Sequence, residues 1–351
     1  MGLKILHTAD WHMDASITSF SEERRAFLRR EQLKIPGKIV QLCRREQCDL
    51  MLLAGDVFDG NASREAVDAV KQALRDCGVP VFVTPGNHDF CQAGSPWLEE
   101  NWPENVRVFT GNLESVVLPA LDCRIYGAGY QSMDCGPLLE GFRAQGAETH
   151  QIGVLHGDPV TARSPYCPVS SAQVRSSGLQ YLALGHIHKG GMFESGKTVC
   201  GWPGCPMGRG WDETGEKGVY IVSLEETVSV AFVPLDGPRF LELEADISSG
   251  AEGTLEDLLP AAGGSDFFRI TLTGQGTADV QALERRFSRF PNLFLRDQTV
   301  PEEDIWEDVE SDTFRGAYFR LLQQQAETEP LAVLAAEISK KILSGREVEL
   351  P

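Results

Sequence analysis

Five short segments of this chain each end an apolar run with residue types that bind metals. They are Asp10-Trp11-His12, Gly55-Asp56-Val57-Phe58-Asp59, Gly86-Asn87-His88-Asp89, His156-Gly157-Asp158 and Gly185-His186-Ile187-His188. Carboxylate and amide oxygens mixed with imidazole nitrogens are donors that divalent hydrolase metals accept. The set suffices for two ions side by side, and a two-metal centre suggests hydrolysis of a phosphate ester. Asp10 and His12 sit two apart and can point at one metal from a single turn. His186 and His188 share that spacing and can serve one metal each. Asp56 is the candidate bridge, because one carboxylate can bind two ions about 3.5–4 Å apart. Asn87 would ligate through its amide oxygen and His156 through a neutral ring nitrogen. A bridging water would ionise to hydroxide near neutral pH and attack phosphorus in line with the leaving oxygen. His88, beside a ligand, is the candidate acid for the leaving alkoxide. Asp89 is expected to orient His88, and Asp59 to tune ligands or contact substrate.

Taken singly, an Asp-x-His, a Gly-Asn-His-Asp turn or a His-x-His has an ordinary structural explanation. Their shared placement after apolar runs is what carries weight. Ligands this far apart in sequence converge only if the elements before them end on one edge of the fold. Apolar runs over residues 3–8, 49–54, 79–84, 152–155 and 181–184 predict strands, each followed by one motif. Residues 63–77 set Ala66, Val67, Val70, Ala73 and Leu74 on one helix face, with Gly78 as its stop. Residues 22–47 are helical in composition, with Pro36-Gly37 expected to interrupt or kink them. This alternation predicts an α/β layered domain. Residues 199–233 read as a hairpin-containing second sheet, and the Pro-rich stretch 234–238 as a boundary. Beyond it, residues 240–245, 255–262, 267–272, 280–290 and 292–295 predict a small β-α-β-α-β unit. An acidic linker over 301–310 then leads to helices over 312–325 and 330–343, with Asp312 as N-cap and Gly345 as stop. Of the two remaining histidines, His7 is expected to be packed and His150 solvated.

Composition limits the readings. With 351 residues and 42% hydrophobic content, two domains and a sizeable core are possible. No apolar stretch reaches the length of a membrane span. The N-terminus lacks a cleavable secretory pattern, and the nine cysteines form no CxxC pair. Both features predict a cytoplasmic chain with reduced thiols. Cys43 with Cys48, and Cys200 with Cys205, are expected to be buried small side chains rather than zinc ligands. The net charge of −19 argues against tight, unaided binding of nucleic acid. Residues 241–351 hold 22 acidic and 10 basic residues, so most of the excess lies there.

These motifs, in this order, resemble the calcineurin-like metallophosphoesterase superfamily over about residues 1–235. The resemblance implies a β-sandwich flanked by helices, with a dimetal site at the strand ends. It implies that Asp10, His12, Asp56 and His188 hold one metal. Asp56, Asn87, His156 and His186 would hold the other, and His88 would be the general acid. Gly-Asp-Val-Phe-Asp-Gly and Gly-Asn-His-Asp depart from the protein serine/threonine phosphatases. The stretches Leu6–His12, Leu52–Asp59 and Leu182–His188 look instead like SbcD-type DNA repair nucleases. Residues 202–210, with Gly215-Glu216-Lys217-Gly218, are similar to the YhaO-like branch. Some relatives carry a His where this chain has Asp59, so no role carries over there.

On this reading residues 1–237 are the catalytic domain and 238–300 a small α+β capping domain. Residues 301–351 are an acidic linker and C-terminal helices. The resemblance implies two divalent ions, manganese foremost, with Mg2+, Fe2+ or Zn2+ as other occupants. It also implies cleavage of DNA ends, a homodimer and an SbcC-like coiled-coil ATPase as partner. Phe314, Tyr318, Leu321 and Leu322 are a candidate docking face. Two other readings stand beside it: a phosphodiesterase for cyclic nucleotides or other small phosphoesters, and a non-catalytic partner-binding scaffold.

Overall fold

The computed structural model describes residues 2–301 and 304–345; Glu302 and Glu303 of the acidic stretch, and residues 346–351, lie outside them. The chain runs β1 (Leu3–Thr8), α1 (Glu22–Arg45), β2 (Leu50–Leu53), α2 (Arg64–Asp76), β3 (Val81–Val83), α3 (Pro96–Glu99) and β4 (Val106–Val108). These four strands are parallel neighbours. Next come β5 (Glu114–Leu118), β6 (Cys123–Gly127), β7 (His150–His156), α4 (Ser171–Ser177), β8 (Tyr181–Gly185), β9 (Lys189–Ser195) and β10 (Thr198–Gly204). They make a second sheet in the order β5-β6-β7-β8-β10-β9, with β6, β7 and β8 parallel.

The hairpin of β11 (Gly218–Leu224) and β12 (Val228–Pro234) departs from expectation. Residues 199–233 do not form one sheet. β10 stays in the second sheet, while the hairpin returns to the first, where Tyr220 lies opposite His7 and Val222 opposite Ile5. Burial explains the split. β11 is buried almost throughout and needs neighbours on both sides, whereas β12 is largely exposed, as an edge strand can be.

The two sheets face each other across one core. Leu3, Ile5, Leu50, Leu52 and Phe82 of the first pack with Ile125, Ile152, Val154, Tyr181 and Ala183 of the second. Leu182 and Leu184 point the other way, into a layer that includes Val174 of α4. The amphipathic face of α2 is the expected one, with Ala66, Val67, Val70, Ala73 and Leu74 buried and the Ser63 hydroxyl capping Ala66 N. Helix α1, in contrast, runs unbroken through Pro36. A prolyl residue inside a helix costs roughly 3 kcal/mol. Burial of Ile35, Pro36, Ile39 and Val40 together offsets that, so packing overrides the local preference.

The remaining strands are β13 (Phe240–Asp246), β14 (Phe267–Thr273) and β15 (Leu293–Asp297), in that sheet order, with α5 (Ala251–Leu258) and α6 (Val280–Arg286) between them. α7 (Phe314–Ala326) and α8 (Leu331–Leu343) follow. Two compact units result. One runs to Glu242 and includes Gly264–Arg269 and Phe290–Leu293; the other holds Leu243–Gly263, Ile270–Arg289 and the residues from Phe294 on. Thr313, not Asp312, caps α7, because its hydroxyl is the one that accepts Gly316 N. The expected face on α7 divides: Leu322 packs with Phe319 and Ala336, whereas Phe314 and Leu321 are exposed. His150 is buried rather than solvated, on β7 beside Gln180.

Candidate metal centre

Every motif leaves the C-terminal end of a parallel strand. Asp10 and His12 follow β1, Asp56 follows β2 and Asn87 follows β3; His156 ends β7 and His186 follows β8. Parallel strands put those ends on one edge, so the sandwich gathers ligands from both sheets at a single place.

The loops are laced together beyond the strands. Asp10 N donates to Gly55 O (3.0 Å), His12 N to Asp56 O (2.9 Å) and Met13 N to Val57 O (2.8 Å). Gln32, buried on α1, donates to His12 O (2.6 Å). The path is strained: Asp10, His12 and Asp56 have φ of 54°, 46° and 50°, and His186 has 97°. Left-handed backbone costs a residue with a side chain roughly 1–2 kcal/mol, and such strain clusters at functional sites. The loop glycines have two different uses. Gly55 also has a positive φ, 87°. Gly86 serves by its missing side chain, since a Cβ there would lie 2.2 Å from Asp56 Oδ1.

The side chains converge in three overlapping groups: Asp10, His12 and His188; Asp56, His156 and His186; and His12, Asp56 and His88, which joins the other two. Asp56 Oδ2 lies 3.2 Å from His156 Nε2 and 3.7 Å from His12 Nε2, so it stands between them. Asn87 Oδ1 lies 3.0 Å from His156 Nε2 and 3.1 Å from His186 Nδ1. His12 Nε2 and His188 Nε2 face each other at 3.0 Å. The His156 ring is fixed from behind by Ala54 O, 3.0 Å from Nδ1. Burial and charge then divide the imidazoles. Burial pushes His12 down to about 3, and burial with the neighbouring His156 pushes His186 down to about 4, so both present lone pairs at neutral pH. Burial also opposes charge on His156, but Asp56 and Asp10 outweigh it and carry that ring up to about 9. Burial raises Asp10 to about 6. It opposes charge on Asp56 too, but His156 and His12 hold that carboxyl well below the usual range.

This donor set fits two divalent cations. The nitrogens of His12 and His186 and the oxygens of Asp10, Asp56 and Asn87 turn lone pairs to shared space, which a cation resolves and an apolar core does not; a metal on His156 would displace its proton. His12 Nδ1 is also buried without a hydrogen-bond partner among the described residues.

His88 stands at the mouth, 43% exposed, with its amide on Asp56 Oδ1 (2.9 Å). Its ring is held by Asp59 Oδ1, 2.9 Å from Nδ1, and that contact raises its pKa against the effect of burial. The expected pairing of Asp89 with His88 is not what the structure holds. Asp89 is buried and accepts from Gly86 N (2.7 Å), Val57 N (2.9 Å), Phe58 N (3.2 Å) and Trp97 Nε1 (3.0 Å). Both its oxygens are thereby engaged, and orienting His88 falls to Asp59. Two residues that the sequence did not single out also belong here. Glu213 Oε1 lies 2.7 Å from His188 Nδ1, and Arg209 pairs with Glu213. Arg209 lay in the 202–210 stretch of the resemblance and Glu213 just beyond it, with no spacing that tied either to His188. His7 is packed instead, between Tyr181 OH (2.7 Å) and Leu184 O (3.0 Å). All nine cysteines are free, and Cys43, Cys48, Cys200 and Cys205 are buried.

The family model described as calcineurin-like phosphoesterase matches residues 3–190, more than half of the chain, and that span includes all five motifs. The chain belongs to the calcineurin-like phosphoesterases. It is therefore a metal-dependent phosphoesterase, a hydrolase with divalent metals as cofactors. Its relatives include the uncharacterized metallophosphoesterase YhaO of Bacillus subtilis, 33% identical over 237 residues, 63% of this chain and 57% of that protein. The chain thus spans little more than half the length of that phosphoesterase. The SbcD component of the SbcCD nuclease of Staphylococcus epidermidis is 22% identical over 313 residues, 77% of this chain and 79% of that one. Among solved structures, a dimetal phosphatase from Danio rerio aligns with a TM-score of 0.45 and 15% identity, over 66% of this chain and 98% of that one. Among the described residues of this phosphoesterase, no helix is long and apolar enough to cross a membrane.

Proposed function

We propose that this chain is a two-metal phosphodiesterase acting on DNA ends, the nuclease component of an SbcCD-like repair complex. The observation that carries the reaction class is the cluster of overlapping ligand groups around Asp56, with His88 at its mouth. Asp10, His12, Asp56 and His188 would hold one ion; Asp56, Asn87, His156 and His186 would hold the other. Manganese suits these mixed oxygen and nitrogen donors. Bound metals supply an activated water and neutralise charge on the phosphoryl group. The chain's own residues do the rest. Ala54 O holds the His156 ring in one orientation. His88, protonated and steadied by Asp59, gives its proton to the leaving oxygen.

Support for DNA as substrate comes from the similarity to the SbcD component of the SbcCD nuclease, which extends past the family domain. That similarity also motivates a homodimer and an SbcC-like ATPase partner. A net charge of −19 fits a chain whose partner provides the basic surface. The isolated chain is then expected to bind duplex DNA no more tightly than a Kd of about 10⁻⁴–10⁻⁶ M at physiological salt. Nanomolar binding in a gel-shift assay would remove that motive. A second reading, hydrolysis of small phosphoesters, draws on the same acidic charge and on a cavity of about 330 Å³ at His12, His88 and His188.

The deciding experiment uses the purified chain with Mn2+. Labelled double- and single-stranded DNA, cyclic nucleotides and bis-p-nitrophenyl phosphate are offered in parallel, with Asp56→Ala as control. DNA cleavage that vanishes in the control supports the nuclease. Cleavage of cyclic nucleotides with none of DNA, also on adding the partner ATPase, selects the second reading.

A further inference from the structure

We propose that Glu213 is the positioning residue of His188, fixing which ring nitrogen faces the metal, and that Arg209 holds Glu213 in place. This rests on the two-metal reading of the site. His188 follows β8, and its backbone O accepts from Cys205 N (3.3 Å). The ring is pinned by Glu213 Oε1 at 2.7 Å from Nδ1. Arg209 Nη2, a donor, also lies 3.2 Å from Nδ1, but the carboxylate is closer by 0.5 Å and can only accept, so Nδ1 carries the proton and Nε2 keeps its lone pair. Nε2 is the nitrogen that faces His12 Nε2 at 3.0 Å, within the group that includes Asp10. The opposite tautomer would set the Nδ1 lone pair against the carboxylate and aim an N–H at the metal position.

Glu213 is only 3% exposed, and a buried carboxylate needs more than one partner to stay ionised. It has them. Arg209 gives Glu213 Oε2 both its amide (2.8 Å) and its Nε (3.1 Å), and its Nη2 bonds Oε1. Glu213 N in turn donates to Gly210 O (3.1 Å), closing residues 209–213 on themselves. Gly208 allows the closure, because a Cβ there would lie 2.6 Å from Glu213 O. The result is a carboxylate held rigid before any metal arrives. Carboxylates in this relation to a metal-binding imidazole are worth about 10–100-fold in metal affinity.

The test is Mn2+ titration of the full chain by calorimetry, for the wild type, Glu213→Ala, Glu213→Gln and Glu213→Asp, with thermal melting of each metal-free protein. Two Mn2+ should bind the wild type. In Glu213→Ala and Glu213→Gln, one binding event should weaken about 10–100-fold while the other is retained. Glu213→Asp, which keeps the charge, should recover part of the loss. Glu213→Gln keeps the shape beside Arg209 and serves if Glu213→Ala does not fold. Unchanged affinity at both sites, or equal weakening of both, overturns the positioning role. A wild type that binds fewer than two Mn2+ would instead overturn the two-metal reading on which it rests.

Discussion

On the proposed mechanism, His88 and Asp59 carry the chemistry that the metals do not. The His88 ring has one nitrogen on Asp59 Oδ1 at 2.9 Å and is exposed enough to reach a bound phosphoester. His88→Ala should therefore retain two Mn2+ by calorimetry and lose about 10²–10⁴ in kcat. An emptied metal site in that variant would make His88 a ligand instead of an acid. Asp59 gives a pH signature. Its contact raises the pKa of His88, and an acid works only while protonated, so activity is lost as pH rises through that pKa. Asp59→Asn should shift the alkaline limb of the kcat profile to lower pH. An unmoved limb would mean that another group donates the proton.

At the scale of elements, the ligand loops depend on a staple that no strand provides. Asp89 joins the loop after β2 to the loop after β3 through Val57, Phe58 and Gly86, and reaches Trp97 on α3. Removing it strands four buried donors. Each unsatisfied group costs about 1–3 kcal/mol, and relaxation recovers part of the sum. Asp89→Ala should destabilise the chain by on the order of 3 kcal/mol in urea unfolding. Asp59→Asn, at the exposed mouth, should leave stability nearly unchanged. Equal effects of the two would contradict this division between holding the loops and holding His88.

For the whole molecule, metal binding and stability should be linked. The edge of the sandwich buries the imidazoles of His12 and His156 with the carboxyls of Asp10 and Asp56, and the backbone there is strained. Ligands that bind only the folded chain stabilise it by about 2.7 kcal/mol at a concentration 100 times Kd. Mn2+ should therefore raise the melting temperature, and EDTA should return it to the metal-free value. An unchanged melting curve would mean that no such site exists at the strand ends.

Much of this was legible from residue order. Five polar motifs after five apolar runs implied strands of an α/β layered domain ending on one edge, and the α2 face followed from 3.6-residue periodicity. Both are local patterns, so a linear reading contains them. Other features were decided only by tertiary structure. The β11–β12 hairpin joined the first sheet because burial on both sides of β11 requires a neighbour such as β1, and pairing partners are not encoded locally. Helix α1 passed through Pro36 because packing of its buried face outweighed a local cost. Orienting His88 fell to Asp59 rather than Asp89 because adjacency in sequence does not set where a side chain points. Glu213 lies 25 residues from His188 and reaches it only through the fold. Residue types and their order determined which chemistry this chain can hold; the convergence of two sheets decided which atoms face each other to perform it.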